Sequence, residues 1–171
     1  MISMKSRLAA SFALFALSTN LFADDLKIGQ FTFDAKEPWI AQQPTSQMRA
    51  AELKFDAEGD VDPVAIFFTF GPGQGGEAQA NIDRWKGMFQ GGPTAEEKHE
   101  LDKGAILVVL TGTFLDGPPF GGQKTPRPDY RMLAAFLPSE QGAVYVRLTG
   151  PIAAADQSRA AFEALIKSAL D

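Results

Sequence analysis

The segment Val64 to Gly92, in which VAIFFTF, GPGQGG, EAQANIDRWKGMFQ and GG follow one another, constrains the fold more than any other part of the chain. Val64 to Phe70 is almost wholly apolar and rich in β-branched and aromatic residues, the composition of a strand buried on both faces. After the glycine-rich turn, Ala78, Ile82, Trp85 and Phe89 recur at i, i+4, i+7 and i+11. That spacing places them on one stripe of a helix running to Gln90, which Gly91, Gly92 and Pro93 stop. Strand, sharp turn and amphipathic helix form one packing unit, with Trp85 folded back over the sheet.

Other segments extend this unit. Lys27 to Asp34 reads as a short edge strand, and Trp39 to Ser46 as a connection whose tryptophan plugs the core or stacks on a ligand. Arg49 to Phe55 alternates, Ala51, Leu53 and Phe55 against Ala50, Glu52 and Lys54, and pairs as a hairpin with Val64 to Phe70. Pro93 to Gly104 is charged and reads as a solvated loop or one helical turn. Ala105 to Leu115 is a second doubly buried strand, in which Gly112 marks a bulge or the close approach of another backbone. Asp116 to Asp129 is then a fourteen-residue loop, long enough to imply function or motion. Tyr130 to Leu137 and Ala143 to Leu148 are strands, the latter setting Val144, Val146 and Leu148 opposite Tyr145 and Arg147. A closing helix aligns Phe162, Leu165, Ile166, Ala169 and Leu170. The expected fold class is α+β: a mostly antiparallel six-stranded sheet sandwiched by helices, with one crossover through the first helix.

The amino end carries a different signal. Lys5 and Arg7 precede an apolar run from Leu8 to Leu17, a secretory leader with cleavage expected after Ala23. A membrane anchor is the other reading, but the run falls short of the ~20 residues a span requires. Residues 24–171 then form a single domain, periplasmic or secreted, with no transmembrane segment once the leader is removed. The chain has no cysteine, so no disulfide assists it. Without Lys5 and Arg7, 14 basic residues face 21 acidic ones, a net charge of −7. With no basic stripe, nucleic acid is excluded as a partner.

Candidates for chemistry are few. Gly71-x-Gly73-x-x-Gly76 matches the dinucleotide fingerprint, and the amides of Gly71, Gly73, Gly75 and Gly76 before a helix suit an anion or nucleotide. Pro72 removes one donor, however, and the expected acid, Glu96 or Glu97, falls too early. His99, the only histidine, lies among charged neighbours, and no zinc shell is possible without cysteine or a second histidine. Glu58, Asp60 and Asp62 have the spacing of a cation loop but no closing glutamate, so a charged turn is the simpler reading. Asp116 and Asp129 bracket the long loop as turn-formers or as a carboxylate pair. No catalytic residue, metal or cofactor is assigned. If the crossover joins parallel strands, the glycine turn, the 116–129 loop and Thr149 to Pro151 leave the sheet at one end. Trp39, Phe120, Lys124, Arg127 and Tyr130 would then line a cleft.

The closing run, YRMLAAFLPSEQGAVYVRLTGPIAAADQSRAAFEALIKSAL, resembles the Mog1/PsbP-like fold family: two antiparallel strands, a Gly-Pro stop and a terminal Phe-x-x-Leu helix. The resemblance implies an exported accessory protein that serves a larger assembly. The expected function is thus non-enzymatic binding of a cell-envelope protein partner or an extended ligand through the 116–129 loop. The alternative is anion or nucleotide binding, with possible hydrolysis, at Gly71 to Gly76.

Overall fold

A computed structural model describes residues 25–118 and 121–171; the expected leader, 1–23, and Phe120 lie outside the described residues. In chain order the elements are β1 (Asp25–Ile28), β2 (Phe31–Asp34), β3 (Trp39–Gln42), β4 (Ala51–Phe55), β5 (Val64–Thr69), α1 (Ala78–Lys86), β6 (Ala95–Glu100), β7 (Ile106–Asp116), β8 (Thr125–Leu137), β9 (Val144–Pro151) and α2 (Ile152–Ser168). Seven strands form one sheet in the order β3-β4-β5-β9-β8-β7-β6, every neighbour antiparallel. β1 and β2 pair separately. Among the described residues no helix is long and apolar enough to cross a membrane.

The expected six-stranded, helix-sandwiched architecture is therefore corrected to a β-rich one. One segment read as a single strand is two, and two read as connections are strands. Lys27 to Asp34 is not one strand but the larger part of a hairpin, reversed at Gly29, whose φ of 58° suits the first position of a two-residue turn. Trp39 to Gln42 pairs with β4 and is an edge strand instead of a connection. Ala95–Glu100, exposed along its whole length, is the opposite edge. Its pairing with β7 supplies the backbone hydrogen bonds, and charges are what an edge strand carries to repel further strands. Side chains tie it down on both faces: Lys86 of α1 meets Glu96 at 2.8 Å, and Arg159 of α2 meets Glu97 at 2.6 Å.

β8 runs from residue 125, so the expected fourteen-residue loop shrinks to 117–124. The register with β7 slips between Gly112 and Phe114, and Asp129 takes up the extra residue at φ 55°. Beyond this bulge β7 and β8 continue as a two-stranded arm, from Phe114↔Arg127 to Asp116↔Thr125. The connection after α1 lies along it, with the Gln90 amide donating to the Thr113 carbonyl at 2.8 Å. α1 ends at Lys86 instead of Gln90 for this reason: Phe89 leaves the helix to bridge Phe114 while staying in the core.

Each face of the sheet carries its own core. On one side Phe33, Trp39, Leu53, Phe67, Leu133, Val146 and Leu148 pack beneath α2 and the β1–β2 hairpin. On the other, Ile82 and Trp85 of α1 pack with Phe89 on Val108, Leu110, Met132, Phe136 and Tyr145. α1 thus covers the β7–β8 half; Phe68 of β5 packs against the edge of that core, and the same face of β4, the earlier part of β5 and the later part of β9 lies outside it. Because all neighbours are antiparallel, the crossover does not join adjacent parallel strands. β5 ends where β9 begins, so the glycine turn sits at the opposite end of the sheet from 117–124 and from Thr149 to Pro151.

The turn after β8 is pressed against the glycine turn. A Cβ on Gly142, at φ 110°, would stand 1.9 Å from the Phe70 carbonyl oxygen, whereas one on Gly73 would meet nothing within 4 Å. Gly142→Ala is expected to cost at least about 3 kcal/mol, and Gly73→Ala only about 1 kcal/mol, the ordinary cost of a left-handed alanine. Urea unfolding of the two variants checks the difference.

Candidate functional site

The residues expected to line one cleft are dispersed. Trp39 is 2% exposed, on the α2 side, and packs edge-on against Phe55 at 5.7 Å. Four strands separate β3 from β7, so at about 4.8 Å per strand Trp39 is some 20 Å or more from the arm. Tyr130, at the arm's base on the opposite face, stacks on Phe114 with ring centroids 6.1 Å apart. Lys124 donates to the Pro118 carbonyl, and Arg127 meets Asp116 at 3.4 Å with both side chains about half exposed. The expected composite cleft is therefore replaced by an exposed two-stranded arm bearing Lys124, Arg127 and Tyr130.

The glycine turn is closed by its own side chains. Tyr145 Oη donates to the Gly76 carbonyl at 3.0 Å, and Asn81 Nδ2 to the Gly75 carbonyl at 2.8 Å. A Cβ on Gly75 would fall 2.7 Å from Tyr145 Oη and 2.9 Å from the Phe70 ring. The glycines there let the chain reverse against the sheet. Gly71 and Gly73 face more open space, and Glu77, the residue capping α1, brings a carboxylate to the same turn. His99 lies on the exposed strand β6, 3.4 Å from Glu97. Asp62 pairs with Lys54 at 2.9 Å and accepts the Ala57 amide, which accounts for the charged turn. Among the described residues no group of three or more His, Asp or Glu is placed to hold a metal ion.

The open half of the α1-side face holds a constellation the sequence did not single out. Cross-strand register sets three rows on it: Phe68–Tyr145–Phe136, Gln42–Glu52–Ile66–Arg147–Ala134 and Ile40–Lys54–Val64–Thr149–Met132. Arg147 sits at the middle of this surface. Its guanidinium lies 5.9 Å from the Phe68 ring centroid, and Nη1 stands 3.0 Å from Met88 Sδ, a weak acceptor. Burial, with Arg49 nearby, pushes the group down to about 10. Two residues along the strand, the Thr149 hydroxyl is buried with no partner.

Glu52, only 3% exposed, stands in the same row but is committed elsewhere. Its Oε1 accepts from the Thr45 amide at 2.7 Å, the Thr45 hydroxyl at 2.8 Å and Arg49 Nη1 at 2.9 Å. Burial disfavours its charged form, yet the Thr45 and Arg49 donors outweigh this and hold the carboxyl below its ordinary range. Alternation in Ala143 to Leu148 had already set Arg147 opposite the valines. That the neighbouring β5, apolar on both faces, half-encloses it follows only from the sheet order.

No protein-family model matches this chain, and comparison with curated proteins finds no match. Function therefore rests on the geometry.

Glu52 yields a pH test. Its folded pKa lies below the unfolded one, so the stability it contributes is complete above the ordinary carboxylate range and disappears as pH falls through the depressed folded value. Glu52→Gln is expected to lose about 1–3 kcal/mol near neutral pH and much less near pH 3, read by urea unfolding at both.

Proposed function

We propose that this is an exported, non-catalytic accessory protein that holds a protein partner in the cell envelope through the β7–β8 arm. The observation carrying the reading is the arm itself. Past the Gly112–Asp129 bulge the two strands leave the sheet, and Thr125 to Asp129 are all exposed. An exposed ribbon on a rigid base suits recognition, because the scaffold fixes its direction while its side chains stay exposed to another surface. Lys124 and Arg127 bring cations to an otherwise acidic chain. The Mog1/PsbP-like resemblance, with its accessory proteins of larger assemblies, supports the same reading, as does the leader pattern at the amino end.

An anion or nucleotide site at Gly71 to Gly76 has less support, since two of the carbonyls there face Asn81 and Tyr145 and the turn packs on Phe70.

Replacing 117–124 with Asn-Gly, a two-residue hairpin turn, is expected to shift the melting temperature by only a few degrees while removing cross-linked partner from the exported fraction. Charge reversal by Lys124→Glu with Arg127→Glu, which leaves the chain length intact, is expected to weaken the same capture roughly tenfold. Capture at the wild-type level by both variants would overturn the assignment.

A further inference from the structure

The half of the sheet that α1 leaves bare carries a cation that the fold does not need. Arg147 is flanked across the strands by Ile66 and Ala134, with Phe68 and Met88 against its guanidinium. A guanidinium has five donors, and the sulfur of Met88 is a poor match for any of them. Among the described residues no carboxylate lies within ion-pair distance of Arg147, although the chain has 21 acidic residues. The carboxylate in its own row, Glu52, is held by Thr45 and Arg49. Arg49 adds like charge to the neighbourhood. A half-buried cation without a counter-ion lowers stability, and an apolar side chain of similar length would pack the same space at less cost. What such an arrangement does well is receive an anion, because the desolvated fork is already oriented and a carboxylate satisfies two of its donors at once.

Apolar surface adjoins the cation. Val64, Ile66 and Phe68 alternate along β5 on the same face, each half-buried, and Ile40 lies two strands away from Val64. We propose that this face binds an amphipathic monoanion, a carboxylate on a hydrocarbon chain, with its head on Arg147 and its chain over Val64, Ile66 and Phe68. The site lies on a different surface from the arm and depends on different residues.

Isothermal titration of the leaderless chain with sodium octanoate tests this. Octanoate is expected to bind at one site, with acetate and octanol at least tenfold weaker, because each lacks half of the ligand. Octyl phosphate separates the headgroups: weaker binding than octanoate is expected, and tighter binding would assign the site to phosphates and overturn the carboxylate reading. Arg147→Met is expected to weaken octanoate at least tenfold while holding or raising the melting temperature. Loss of stability in that variant with no octanoate binding by the wild type would make Arg147 a packing residue and end the proposal. A variant-free measurement runs alongside: the Arg147 Nε–H resonance should shift with octanoate and not with octanol, and its failure to move also contradicts the site.

Discussion

The central strands of this protein are buried on both faces, and that single demand shapes the rest. Met132 to Leu137 is six consecutive buried residues, Met132, Ala134 and Phe136 turned to one side and Leu133, Ala135 and Leu137 to the other. No one layer satisfies such a strand, so the chain must supply cover twice. α2 and the β1–β2 hairpin do so on one face. On the other, a nine-residue helix and the segment after it serve, with Trp85 and Phe89 as the largest contacts. α1 is too short to span seven strands. The uneven cover that results gives a dry core over β7 and β8 and an unfinished surface over β4, β5 and β9.

Both functional surfaces follow from this asymmetry. The connection from α1 to β6 runs along β7 and braces the base of the arm, through the Phe89–Phe114 bridge and the Leu115 amide donating to the Met88 carbonyl at 2.8 Å. Met88 then lies at the boundary, its carbonyl on the arm and its sulfur on Arg147. The arm and the Arg147 patch are thus separate surfaces that meet at one residue. A shift of the α1–β6 connection would be felt by both.

Much of the core was legible from residue pattern alone. The strand at Val64, the stripe through Ile82 and Trp85, the hairpin of β4 with β5 and the closing helix all declare themselves, because each buries a face whose period matches its structure. What escaped was decided by pairing. Ala95–Glu100 has no apolar residue beyond Ala95 and becomes a strand only because β7 needs a neighbour. Two prolines, Pro126 and Pro128, argue against a strand, yet they lie where β8 has left the main sheet and where its bulge leaves a residue unpaired. The grouping of Trp39 with Lys124 and Arg127 failed through sheet order: β4, β5, β9 and β8 stand between β3 and β7, and Trp39 is turned to the α2-side core. Arg147 escaped for a further reason, since a half-buried cation looks like a surface residue until the sheet order is known.

The chain's two tryptophans stand one in each core, Trp39 at 2% exposure and Trp85 at 6%. The variants Trp39→Phe and Trp85→Phe therefore isolate each side of the sheet. If one doubly buried sheet unites the two cores, each remaining indole emits in the blue and resists quenching by acrylamide, and within each variant indole fluorescence and far-UV circular dichroism share one urea midpoint, as one cooperative unit requires. An indole at position 85 open to quencher in the native protein, or two separated midpoints, would contradict the account.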